Sequence, residues 1–78
     1  GFKQGFFVEF GTDGKAESQG TWVDGRLDGA WVEFHPDGVT PAVRGTWEKG
    51  HRNGTFEHFD AQGQKVGEAT WKDGERTD

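Results

Sequence analysis

Apolar and polar residues change places along this chain in short runs, and glycines end each run. Gly29-Ala-Trp-Val-Glu-Phe-His35 holds the aromatic and β-branched residues that favour strands. Pro36-Asp-Gly38 then supplies a tight turn. A return strand is expected from Val39 to Glu48, ending in Gly45-Thr46-Trp47. A second turn, Gly50-His-Arg-Asn-Gly54, leads onward. No window carries apolar residues at i, i+3, i+4 and i+7. Glycine interrupts every stretch long enough for a helix, so none is expected.

The same order of residues recurs. Gly1, Gly25, Gly50 and Gly74 are spaced 24, 25 and 24 residues apart. Gly5, Gly29 and Gly54 keep step, as do Phe7, Trp31 and Phe56. So do Phe10, Phe34 and Phe59, then Gly14, Gly38 and Gly63, then Trp22, Trp47 and Trp71. One small unit copied in tandem makes an array, and arrays serve as surfaces or spacers. The units run over about 1–24, 25–49 and 50–73, with 74–78 as an end or cap. Gly1 is already a mid-turn position, so we expect a piece of a longer array.

Strands this short, joined by turns this tight, are antiparallel neighbours. The expected fold is all-β: a single-layer, twisted antiparallel meander of about six strands, roughly 29 Å across at ~4.8 Å per strand. It is built from three tandem β-hairpin repeats. Asp13-Gly14 and Asp37-Gly38 are dipeptides of type I′ turns, and Gln62-Gly63 is a weaker version. Centring one hairpin on Asp13-Gly14 sets Phe7 opposite Gly20, and Gln62-Gly63 sets Phe56 opposite Ala69. Centring the next on Arg26-Leu27 sets Trp22 opposite Trp31, and likewise Trp47 opposite Phe56. Rings can then lie over Gly20, Gly45 or Ala69, which explains glycine inside a strand. The extra residue of the middle unit falls near Thr40-Pro41, where a bulge or bend is expected.

Composition sharpens this. Only 29% of residues are hydrophobic, Leu27 is the only leucine, and isoleucine and methionine are absent. Few aliphatic side chains are available for a two-layer core. Instead 11 of 78 residues are Phe or Trp, large enough to hold a thin structure together. That aromatic content also sets the chain apart from disordered sequences.

Net charge is −5, with acids in all three units and no run of basic residues. Such a surface repels phosphate backbones, which argues against nucleic acid and disfavours anionic membranes. Without cysteine there is no disulfide or thiolate chemistry, and the compartment stays open. No apolar stretch approaches a membrane span.

The pattern Gly-Thr-Trp-x-x-Gly-x-x-x-Gly-x-Phe-x-x-Phe-x-x-x-Gly at 45–63 resembles the MORN (membrane occupation and recognition nexus) repeat family. The closer likeness is to its bacterial variant, the YwqK-type antitoxin repeats. That variant puts an aromatic two residues after the second glycine, as Trp31 and Phe56 stand here. The resemblance covers essentially the whole chain. Departures are the absence of tyrosine and Asp78 in place of the next glycine. The resemblance implies an elongated single-layer sheet with binding or scaffolding roles and no catalysis. Arrays of that family are linked to membranes and phosphoinositides, to protein contacts and to dimerisation. A second likeness, to choline-binding cell-wall repeats, rests on Gly-x-Trp-x-x-Phe-x-x-x-Gly, but those repeats are shorter than the period here.

Chemistry is sparse. His58 shares a column with Glu9 and Glu33, and His35 one with Asp60. Column neighbours lie about 9–10 Å apart, whereas zinc ligands sit ~2.0–2.2 Å from the metal, so no metal site is expected. Glu9 with Glu33, or Glu57 with Asp60, could be read as a glycosidase pair, but no pocket is foreseen around them. We expect no catalytic residues, no cofactor and no phosphate-cradling loop.

The aromatics carry the functional lead. Phe7, Trp22, Trp31, Trp47, Phe56 and Trp71 are expected to form a structural ladder. Phe10, Phe34 and Phe59 have the opposite parity, which makes them a candidate interaction surface on the other face. The first strand should also have an unpaired edge, open to a partner strand or a second copy. The leading expectation is a non-enzymatic protein-interaction or scaffold module. Peripheral phospholipid binding and carbohydrate or cell-wall binding through exposed tryptophan are the alternatives.

Overall fold

A computed structural model describes residues 2–77. The turn reading of Gly1 and the cap reading of Asp78 lie outside the described residues. The strands are β1 (Gly5–Phe10), β2 (Ala16–Val23), β3 (Arg26–Leu27), β4 (Gly29–Phe34), β5 (Pro41–Glu48), β6 (His51–Arg52), β7 (Gly54–Phe59), β8 (Lys65–Lys72) and β9 (Glu75–Arg76). They form one open antiparallel sheet in the order β1-β2-β4-β5-β7-β8-β9, with β3 on β2 and β6 on β5. No helix occurs among the described residues. The molecule measures 36 × 34 × 14 Å, so the sheet is one layer deep with side chains on both faces. About six strands were expected; the two-residue arms β3, β6 and β9 bring the number among the described residues to nine.

The turns correct two expectations. At the β1–β2 loop, the Gly14 N–H donates to the Gly11 carbonyl, and the equivalent bonds join Gly38 to His35 and Gly63 to Asp60. Gly14 has φ +82°, but Asp13 and Asp37 are not among the residues with positive φ. These are therefore type I turns closed by a left-handed glycine, not type I′. Aspartate side chains hold them in shape. The Asp13 carboxylate accepts the Lys15 N–H, Asp37 accepts those of Val39 and Thr40, and Asp60 accepts those of Gln62 and Gln64.

The type I′ geometry lies elsewhere. Asp24 (φ 50°) and Gly25 (φ 80°) are both left-handed, as are Lys49 with Gly50 and Asp73 with Gly74. The hairpin thus centres on Asp24-Gly25 rather than Arg26-Leu27. A centre at Arg26-Leu27 would force left-handed backbone on a leucine, which Asp-Gly tolerates far better. Trp22 consequently faces Leu27, and Trp47 faces Arg52. From the Trp22–Leu27 pair to the Gln19–Val32 pair, β2 advances three residues and its partner five. Asp28 and Gly29 lie in this bulge, where the Asp28 N–H donates to Thr21. The expected Trp22–Trp31 and Trp47–Phe56 oppositions are therefore lost.

The other registers are present. Phe7 faces Gly20, Trp31 faces Gly45, and Phe56 faces Ala69. The bulge expected near Thr40-Pro41 lies one step on: Phe34 pairs with Pro41 and Glu33 with Val43, leaving Ala42 extra. Similar shifts occur at Glu9/Phe10 and His58/Phe59, where there is no proline, so proline does not cause them. The additional residue of the middle hairpin is absorbed in its turn, within 35–40.

The arms stitch neighbouring turns together. Gly25 donates its N–H to the Lys3 carbonyl, Gly50 to Leu27 and Gly74 to Arg52, at 2.9–3.0 Å. The core is small: Phe56 is 3% exposed and Ala69 is buried beside it.

Candidate interaction surfaces

Strand alternation sorts the side chains onto two faces. The first, the Trp face, carries Phe7, Trp22, Trp31, Trp47, Phe56 and Trp71. Trp31, Trp47 and Phe56 form a triangle with centroids 6.1–6.3 Å apart, and Phe7 lies 5.1 Å from Trp22. A Cβ built on Gly20 would lie 3.0 Å from Trp31 and 3.1 Å from Phe7, and one on Gly45 would overlap the Phe56 ring. Glycine lets the rings lie flat on the backbone at these two positions. Cations close the cluster from above. The Lys3 ammonium sits 5.0 Å from the Trp22 ring, and the Arg52 guanidinium reaches Trp71 at 4.8 Å and Trp47 at 5.6 Å. The buried Trp47 Nε1–H has no hydrogen-bond partner, a cost of about 1–3 kcal/mol that the ring packing must offset. A groove of about 330 Å³ crosses this face over Val43, Phe56 and Ala69, between Trp31 and Trp71.

The opposite, Phe face, is built differently. Phe10 is 64% exposed and Phe6 is 68% exposed, while Val8, Val32, Phe34 and Phe59 are half-buried. Phe34 lines a cleft of about 250 Å³ with His35 and Pro36, facing Lys15 and Ala16. Phe59 lines one of about 240 Å³ with Pro41, Arg44 and Gly63, and the Arg44 guanidinium stands 5.2 Å from its ring. Towards β8 the face turns ionic: Glu57 pairs with Arg44 at 3.4 Å and with Lys65 at 3.3 Å, and Lys65 also reaches Glu68.

These contacts move the titrations. The hydrogen bond from Lys65, then its charge and the Arg44 contacts, hold the Glu57 carboxyl below its ordinary value. Glu68 first, and Glu57 after it, push the Lys65 ammonium up. In the turn, the Thr40 hydroxyl, followed by the Val39 and Thr40 N–H groups, lowers Asp37 to about 2.

The predicted row Phe10, Phe34 and Phe59 thus lies on one face, graded from exposed to half-buried. Phe6, four residues before Phe10, belongs to the same face and escaped the sequence reading, although its even spacing from Phe10 gave the signal. The Lys3 and Arg52 caps also escaped, because they act across the arms. The histidines are dispersed: His35 Nε2 is 2.8 Å from the Phe59 carbonyl oxygen, His51 lies beside the Gly74 turn, and His58 is at the groove. Glu9 accepts a bond from the Ser18 hydroxyl. Among the described residues no group of three or more His, Asp or Glu is gathered as for a metal ion. No helix among them is long and apolar enough to cross a membrane.

No family model, curated protein or solved structure matches the chain.

Proposed function

We propose that the chain is three tandem hairpin units of the MORN-like kind its sequence resembles, acting as a non-enzymatic protein-interaction or scaffold module. The observation that carries this is the division of aromatics between faces. The Trp face uses its rings on one another, on glycine backbone and on cations. The Phe face leaves Phe6 and Phe10 largely in water, with Phe34 and Phe59 beside open clefts. Exposed rings in a row are the feature that protein interfaces enrich. Sugar platforms need accessible tryptophan, and here all four are half-buried. The acidic balance is the argument against anionic membranes.

The test is a displayed random-peptide pool selected on the whole chain, with binding then measured to Phe34→Ala/Phe59→Ala. Selected peptides should lose at least about tenfold affinity while the variant keeps its melting midpoint. Undiminished binding to the variant overturns the reading. So does a variant that merely unfolds, because the two rings would then be structural.

A further inference from the structure

We propose that the Phe face binds a proline-rich peptide in the polyproline II conformation, laid across the strands with every third side chain in a cleft. This rests on the interaction-module reading and names the class of partner for that face.

At the turn end of this face, ridges and troughs alternate. Phe10 pairs with Ala16, and Phe34 pairs with Pro41. With the strand order, the row across the sheet runs Phe10, Ala16, Phe34, Pro41, Phe59. Every second strand bears a ring, and a short apolar residue lies between rings. The two clefts are these troughs: one beside Ala16 against Phe34, of about 250 Å³, and one beside Pro41 against Phe59, of about 240 Å³. Both lie inside the sheet with a strand on either side. A further unit at either end of the array would lengthen the row without covering them. The His35 Nε2 contact with the Phe59 carbonyl oxygen, at 2.8 Å, ties the turn bordering the first cleft to the end of β7 at the second.

The spacing selects the occupant. Equivalent troughs lie two strands apart, about 9.4–9.8 Å. A polyproline II helix has about three residues per turn and rises about 3.1 Å per residue, so every third side chain returns to one face after about 9.3 Å. An extended strand sets same-face residues about 6.6 or 13.2 Å apart, too short or too long. An α-helix returns after about seven residues and 10.5 Å, which overshoots by about 1 Å at each unit. Polyproline II segments are also the peptides that aromatic-lined grooves take up, because they are ordered before they bind. Charge adds the flanks. Asp13 and Glu17 stand at the first cleft with one cation, Lys15, and the chain carries −5 overall. At the second cleft the Arg44 charge is answered by Glu57. A basic residue beside the apolar pair therefore complements the first cleft.

The probe is the synthetic peptide Arg-Pro-Leu-Pro-Pro-Leu-Pro-Arg, with blocked ends and its leucines three apart. Arginine at both ends makes the charge test independent of peptide direction. Titrated into the full chain, it should give saturable amide shifts at Ala16, Phe34 and Phe59. Peptides with the leucines two or four apart should bind at least about tenfold more weakly, the equivalent of one leucine lost from its cleft. Ala16→Leu fills the first cleft, leaves both rings in place, and should cost as much with unchanged circular dichroism. Glu17→Gln, on an exposed side chain, should weaken the arginine peptide about twofold to fivefold at low salt and leave a glutamine-ended peptide unaffected. Equal affinity for the three spacings overturns the inference. So does tighter binding of a helical peptide with leucines seven apart, or the absence of shifts on the Phe face. Each of these results leaves the selected-peptide test on Phe34 and Phe59 standing, so the two proposals fail separately.

Discussion

The Trp face carries six rings and the Phe face four, and the two use them oppositely. On the Trp face Phe56 is 3% exposed and sits over Gly45, between Trp31 and Trp47. On the Phe face Phe10 has no comparable cover and is 64% exposed. A single layer has no second sheet to supply a core. It must make one from rings lying flat on its own backbone, and that is possible only where a strand residue is glycine or alanine. The Trp face has Gly20, Gly45 and Ala69 in the required row. The Phe face has Gln19, Arg44 and Glu68 in its corresponding row, which cannot be covered in that way. The buried ring packing therefore lies on one face, and the other leaves Phe6 and Phe10 largely in water.

The largest expected effect tests that division directly. Phe56→Ala should destabilise by about 3–5 kcal/mol, the usual range for losing a buried ring. In a domain this small that approaches the whole stability. Phe10→Ala should stay within about 0.5 kcal/mol, as for surface positions. Urea unfolding followed by tryptophan fluorescence gives both values. Equal losses at the two sites would break the comparison.

A subtler contrast uses glycine. Gly45→Ala drives a methyl into the Phe56 ring, and overpacking of this kind typically costs about 1–3 kcal/mol. Gly67 is also in a long strand and on the same face, but nothing lies within 4 Å of its added Cβ and its φ is not positive. Gly67→Ala should therefore stabilise by about 0.4–1 kcal/mol, by restricting the unfolded chain. The same denaturation experiment decides it: a Gly45→Ala midpoint at or above that of Gly67→Ala would mean the ring is not seated on the strand.

The sequence made the sheet and half of its register legible, for reasons that differ by residue. Strand type was readable because Phe, Trp, Val and Thr cluster between glycines. The Phe7–Gly20 and Phe56–Ala69 pairings were readable because a centre at 13–14 gives the same long-range register as the turn that forms. A type I turn with a left-handed glycine differs from type I′ only near the loop, and the bulge beside it absorbs the difference. Arg26-Leu27 misled because Gly25 and Gly29 look like symmetric brackets. Only the backbone distinguishes Gly25, in the turn, from Gly29, in the bulge that follows. The cation caps were invisible for the same reason: Arg52 meets Trp47 only once the turn is placed at Lys49-Gly50. Of the surface row, parity found Phe10, Phe34 and Phe59, but exposure depends on neighbours across the sheet, such as Arg44 over Phe59.

The smallest effect separates the faces by solvent condition. Ring packing on the Trp face has no proton to lose, whereas the ionic end of the Phe face titrates at acid and at alkaline pH. Glu57 has a folded pKa below its unfolded value. Its contribution is therefore full above the ordinary glutamate range and is lost as pH falls through the depressed folded value. Lys65 is raised, so its contribution is full below the ordinary lysine range and lost as pH rises through the elevated one. Stability should thus sag at both ends of the pH range. Both groups are exposed, so the sag should be slight and should fade in high salt. Glu57→Gln should flatten the upper part of the acid limb and leave the lower part, because Asp37, titrating near 2, continues to lose its turn bonds as pH falls from about 4. Carboxylate NMR titration reads the two carboxyls individually. If Glu57 titrates at its ordinary value and the acid limb ignores salt, the ion network contributes nothing. The Phe face would then be held in place entirely by the packing on its reverse.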